Sequence, residues 1–213
     1  VGACYAKRPY YIWHLLENGI DVHAYGPRWL RSESSGWIYL LYRDTRRTIG
    51  RLLRTITRLS VEKRAEYSAQ IALSDFCDRL RKKYTSNLHF PISDEEMIRK
   101  YSESKISLGF IEVYDAHNPS AIVKQHLHLR EFEGPMCGAL YLTGYCEELT
   151  EFFEADKEVL IYRNEHELLD KVRYYLAHPN EAEKVRQAGH RRAIECHTYQ
   201  KRFKDLFKRL GIY

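Results

Sequence analysis

The sequence predicts an α/β fold, a doubly wound parallel sheet with a helical, basic insertion. Three observations carry that expectation. Short apolar runs bounded by Gly, Pro and Asn alternate with helical patterns along most of the chain. The first strand, helix and strand follow one another within residues 1–27, as a βαβ unit does. The alternation is broken once, between about residues 38 and 83, where arginines and leucines take over. At 213 residues, with 44% hydrophobic and 30% charged residues, the chain has the composition of a single globular domain of residues 1–213. Disordered, collagen-like and disulfide-scaffold classes are excluded on the same numbers.

Taken in order, Val1-Gly2-Ala3 reads as the end of a strand entering a loop. Ile12, Trp13, Leu15 and Leu16 are spaced as on a helix spanning 7–18, stopped by Asn18-Gly19. Ile20 to Tyr25 alternates as a strand and ends at Gly26-Pro27. Two helical stretches, 38–59 and 61–83, make up the basic insertion, and a short strand at 87–90 follows. Ser93 with Glu96 forms a capping box that opens a helix carrying Met97, Ile98 and Tyr101. Residues 105–111 read as a strand, 114–120 as a polar loop, and 127–136 as a helix. Strands at 138–142 and 158–162 flank a helix at 147–153. Three helices, 165–177, 180–194 and 198–209, close the chain.

Charge is distributed unevenly. Residues 31–90 hold 13 Lys and Arg against 6 Asp and Glu, whereas the rest of the chain is slightly acidic. The arginine-rich face of 38–59 reads as a solvated surface or as a contact with an anionic membrane. Nucleic acid is not expected as a partner, because no RRM or KH signature occurs. The five cysteines are odd in number and form no C-x-x-C pair, which suits reduced thiols in a cytoplasmic protein, peripheral to the membrane if the basic helix binds lipid. No signal-peptide pattern and no apolar run of membrane-spanning length is present.

In an open parallel sheet, ligands bind outside the carboxyl ends of the strands. Three loops are placed to do so. Gly2 to Arg8 leaves the first strand, with Lys7 or Arg8 able to neutralise a phosphate, although G-x-x-x-x-G-K is absent. Val123 to Glu133 is read as a polar loop entering a helix that brings Lys124, Arg130 and Glu133 toward one crevice. Glu133 precedes the small and apolar Gly134-Pro135-Met136-Cys137-Gly138, so its carboxylate is expected to be buried and to need a partner, either a ribose diol or a neighbouring protein group. Thr143-Gly144-Tyr145 is a turn able to contact a sugar or phosphate. His126-x-His128 puts two metal-ligand types on one face only in a strand, and no metal is expected.

Ser104 to Phe110, Lys124-Gln125, and Leu129 to Leu142 resemble the spore-maturation-protein (CgeB-like) glycosyltransferases. Glu147 to Phe153, Lys157-Glu158-Val159, Tyr162, Val172 to Pro179, Gly189 and His197-Thr198-Tyr199 continue the pattern. Residues 1–29 match it more loosely, through Gly2, Arg8, Gly19 and Gly26-x-x-Trp29. The resemblance implies the C-terminal, nucleotide-sugar-binding half of a GT-B fold, a Rossmann-like domain whose acceptor-binding N-terminal half would precede residue 1. It implies transfer of a sugar to a glycan, lipid or protein acceptor, with the nucleotide-sugar as substrate, no cofactor, and no metal. An isolated donor half of this kind is expected to be inactive alone.

Within that resemblance Glu133 matches the ribose-binding glutamate, and Lys124 and Arg130 match basic positions on the diphosphate side. Gly2 and Arg8 match the loop across the crevice, while Gly138 and Tyr145 complete the donor-binding set; no catalytic residue is assigned. Gln125 stands where related retaining enzymes carry a second glutamate, and Gly134 and Cys137 depart mildly from small residues such as Ala and Ser. The absence of Asp-x-Asp agrees with a metal-free site. The alternative reading is a non-catalytic Rossmann-like module of a spore coat or cell-surface assembly. A dinucleotide oxidoreductase is disfavoured, since G-x-G-x-x-G does not follow the opening strand.

Overall fold

A computed structural model describes residues 2–30, 45, 48, 61–114 and 122–212. The chain folds as two compact units, Val1–Pro91 with Tyr114–Ile122, and Ile92–Val113 with Val123–Tyr213. The arginine-rich stretch 38–59 lies outside the described residues apart from Thr45 and Thr48, which are helical, and so does the polar loop at 115–120.

In the first unit, helix α1 (Arg8–Glu17) buries Ile12, Leu15 and Leu16, the stripe that its apolar spacing dictates. Pro9 sits in its first turn, where a missing N–H costs nothing. Strand β1 (Ala24–Tyr25) pairs in parallel with β2 (Leu88–His89), Ala24 facing Leu88 and Tyr25 facing His89. The expected strand at 20–25 is shortened because the Ile20 N–H is taken by the Leu15 carbonyl at the end of α1 (3.0 Å). No strand is assigned at residues 2–5, yet the Gly2 N–H donates to Tyr25 O (2.8 Å) and the Cys4 N–H to Pro27 O (3.0 Å), extending the sheet edge.

Helix α2 (Val61–Lys83) is the second half of the expected insertion. Leu80 is buried on it, and Phe76 stacks on Tyr10 of α1 with ring centroids 4.1 Å apart. Lys83 Nζ closes the far end on Glu17 at 2.5 Å.

In the second unit, α3 (Asp94–Glu103) begins at the expected capping box: the Glu96 N–H donates to Ser93 Oγ and the Ser93 N–H to the Glu96 carboxylate. Strands β3 (Ser107–Leu108), β6 (Tyr141–Gly144) and β7 (Leu160–Tyr162) form a parallel sheet in the order β3-β6-β7. Every side chain of β6 and β7 is buried, as in sheets covered on both faces. Of the expected strand 105–111 only β3 forms; a separate strand, β4 (Glu112–Tyr114), follows it and pairs with β5 (Ile122–Gln125).

Helix α4 (Arg130–Met136) starts later than the expected 127. The Glu131 carboxylate accepts the His128 N–H (2.8 Å), and this side-chain bond fixes residues 126–129 as a loop. Residues 147–151 form a 3₁₀ turn rather than an α-helix. Helices α5 (Glu165–Ala177), α6 (Pro179–Cys196) and α7 (Tyr199–Arg209) stand where the sequence places them. Asn164 and Thr198 cap α5 and α7 with their side chains. No helix of the described residues is long and apolar enough to cross a membrane.

Candidate functional site

Of the predicted site residues, Arg130 and Glu133 lie together on α4, in the second unit. Arg130, Glu133 and Cys137 recur at helical spacing, one turn apart, on a half-buried side of the helix. That side lies near Tyr101 of α3, whose hydroxyl feels the charges of Arg130 and Glu133. Burial pushes the Tyr101 hydroxyl up to about 12, with Arg130 opposing and Glu133 reinforcing the rise. Burial, followed by the Glu133 charge, raises the Cys137 thiol. Tyr101, Ala139 and Tyr141 form the core beneath, with Met97 and Cys137 packed against it.

The buried carboxylate of α4 is Glu131, not Glu133. Glu131 is 1% exposed, whereas Glu133 is half-buried. The helical phase explains the exchange. Glu131 points under the loop and toward β6, where its carboxylate accepts the His128 N–H, the Thr143 hydroxyl (3.3 Å) and, more distantly, the Tyr141 hydroxyl (3.5 Å). Burial raises its pKa above the usual carboxylate range, and these hydrogen bonds only partly offset the rise. The expense foreseen for a carboxylate in this turn is therefore met by protein donors, and by a residue two positions earlier.

Lys124 is placed on β5, ahead of the helix, and is exposed; it does not share the face of α4 with Arg130 and Glu133. Thr143 and Gly144 belong to β6 itself rather than to a turn. Tyr145 follows at the carboxyl end of β6, its N–H donating to Tyr162 O (2.8 Å). The Arg163 guanidinium, just past the carboxyl end of β7, lies 4.5 Å from the Tyr145 ring centroid. The sequence reading passed over Arg163, although its position directly after the strand at 158–162 was the available signal.

Gly138 lies toward the amino end of β6, between the end of α4 and the start of that strand. It has φ +76 at the helix terminus, its N–H donates to Pro135 O (2.9 Å), and its carbonyl accepts from Arg186 Nη1 (3.1 Å). The length of β6 thus separates it from Tyr145. Gly2 and Arg8 belong to the first unit. Gly2 O accepts from Trp29 Nε1 (2.5 Å). Arg8 is 8% exposed, its Nη1 donating to Ala3 O (3.4 Å) and its guanidinium 4.8 Å from the Tyr5 ring. Both are engaged by the protein.

His126 and His128 have ring centroids 4.4 Å apart, and His126 Nδ1 lies 2.7 Å from Leu127 O. Among the described residues no three His, Cys, Asp or Glu side chains come together as a metal-binding group.

The glycosyl transferase-like sequence family matches residues 46–208. Among solved structures, a sucrose-phosphate synthase from Thermosynechococcus elongatus is similar in fold, with a TM-score of 0.50 at 13% identity. The match covers 93% of this chain and 48% of that one, so the chain spans about half the length of that protein. Among curated proteins none matches the sequence. The mixed α/β architecture with its parallel sheet corresponds to one Rossmann-like half of a GT-B fold. With most of its length matched by the family, this chain belongs to the glycosyl transferase-like family.

Proposed function

We propose that the chain is the donor-binding part of a CgeB-like glycosyltransferase, holding a nucleotide-sugar whose sugar passes to a glycan, lipid or protein acceptor. The observation that carries the proposal is the pairing of Arg130 with Glu133, one turn apart on a half-buried side of α4 near Tyr101. Glu133 supplies a carboxylate to accept hydrogen bonds from a ribose diol. Arg130 supplies a fixed cation suited to a diphosphate, because guanidinium matches phosphate oxygens bidentately. Lys124 adds exposed positive charge, and Tyr145 with Arg163 adds a flat, cationic ledge at the carboxyl ends of β6 and β7.

The reaction is a displacement at the anomeric carbon. The bond to the departing diphosphate oxygen breaks, and negative charge grows on that oxygen. Cations already fixed beside it lower the barrier because they need no reorganisation. Arg130 fills this role in the proposed site without a metal ion, with Lys124 adding exposed positive charge, in keeping with the lack of any Asp-x-Asp in the sequence.

Calorimetric titration with UDP, GDP, ADP and CMP in the presence of EDTA tests this. Saturable binding of one nucleotide is expected. Glu133→Ala should weaken it by about 1–3 kcal/mol, the scale of hydrogen bonds to a charged group. Binding of none of the four, or unchanged affinity in the variant, would overturn the assignment.

A further inference from the structure

We propose that Cys4 and Cys77 form a paired-thiol modification site, which a peroxide converts to a disulfide. Their sulfurs lie 3.7 Å apart although 73 residues separate them in sequence. An S–S bond is about 2.05 Å long, so the sulfurs have about 1.7 Å to close. Both thiols belong to the first unit, neither is in a disulfide, and both are buried, at 7% and 8% exposure. Neither sits on a segment at liberty to drift away. The Cys4 backbone is tied by its N–H to Pro27 O. Cys77 lies on α2, which Arg81, one turn further along, fastens to the Trp29 carbonyl (2.9 Å) and the Arg28 carbonyl (2.5 Å). The other cysteines have different surroundings: Cys146 in a separate apolar cluster, Cys137 beside Tyr101, and Cys196 exposed at the end of α6.

The chemistry balances with one hydrogen peroxide. One thiol, as its thiolate, attacks the O–O bond and becomes a sulfenic acid, while the released hydroxide takes up the displaced proton and leaves as water. The second thiol attacks the sulfenic sulfur, loses its proton, and expels a second water as the S–S bond forms. The two thiols lose two electrons and two protons, and the peroxide is reduced. Contact with Cys77 and burial hold the Cys4 thiol far above the ordinary thiol range, so it stays protonated at neutral pH. The reaction is therefore expected to be slower than at an exposed, activated cysteine and to accelerate with pH. The bond would staple the residue 2–7 loop to α2.

The test is peptide mapping of the full chain. Folded protein is treated with hydrogen peroxide, quenched with catalase, alkylated in denaturant and digested. A linked peptide joining Cys4 to Cys77, two hydrogens lighter than the sum of its parts and lost on reduction, is the expected result. Recovery of both as alkylated thiols while Cys196 has been oxidised would overturn the proposal, as would separate over-oxidation of either. Cys77→Ser should abolish the linked peptide. Should that variant fail to fold, diamide treatment of the unmodified chain at neutral and alkaline pH gives an independent reading: the same linkage, forming faster at alkaline pH, supports the site, and its absence at both refutes it.

Discussion

Two glutamates of one short helix have opposite duties. Glu133 is left half-exposed beside Arg130, while Glu131 is withdrawn from water and satisfied by His128, Thr143 and Tyr141. The raised pKa of Glu131 has a definite thermodynamic sign. Its folded pKa lies above the ordinary value of 4.5, so the folded state holds the proton more tightly than the unfolded chain. The associated stability is fully present below that value and declines as pH rises through the folded pKa. Glu131→Gln keeps an acceptor and removes the titration. Urea unfolding of both proteins across pH 4.5 to 7 should therefore show the variant gaining on the wild type as pH rises. A constant difference would mean that Glu131 ionises freely in the fold. The sequence led to the expectation that the buried carboxylate of this turn is Glu133, whereas the structure buries Glu131. Four of the seven residues from 130 to 136 are buried, so composition alone does not reveal which way the helix faces, and the choice depended on where β6 lies.

Elements with their own punctuation were legible. The Ser93–Glu96 capping box gave the start of α3, Asn18-Gly19 the end of α1, and Pro179 the break between α5 and α6. These signals are local, and the backbone obeys them whatever surrounds it. Strand lengths were less legible because a strand ends where its neighbour's hydrogen bonds end. Ile20 has a strand-like side chain but spends its N–H on α1. The Ser107 and Gly109 N–H groups donate to the carbonyls of Leu140 and Leu142, so β3 extends only as far as β6 accompanies it. β5 was missed altogether: Lys124 and Gln125 are exposed and polar, so the apolar alternation that marks a half-buried strand is absent there. Ser93→Ala should cost about 1 kcal/mol of stability through the lost N-cap, read as a shift in denaturation midpoint. The control Asp94→Ala, which leaves the box intact, should cost less.

Across the second unit, one aromatic ring ties strands to helix. Tyr141 of β6 is 1% exposed and lies against two glycines. A Cβ on Gly134 of α4 would fall 2.5 Å from the Tyr141 ring, and one on Gly109, just past β3, would fall 2.6 Å from its hydroxyl and 2.5 Å from Thr143 Oγ1. Gly134, which looked in sequence like a mild departure from the family pattern, is the residue that lets the helix lie on this ring. Gly134→Ala should destabilise the protein by about 1–3 kcal/mol, the range for overpacking a filled core. Combining it with Tyr141→Leu should cost less than the two separate losses together, and denaturant titration of all four proteins gives that coupling. The wider consequence is historical. Positions 109, 134 and 141 cannot drift independently: a lineage that enlarges Gly134 must first, or at once, trim the tyrosine, and one that enlarges Gly109 must make room at Thr143 as well. The present trio is thus a packing solution entered and left by few mutational routes, and that restriction falls on the same helix that carries Arg130 and Glu133.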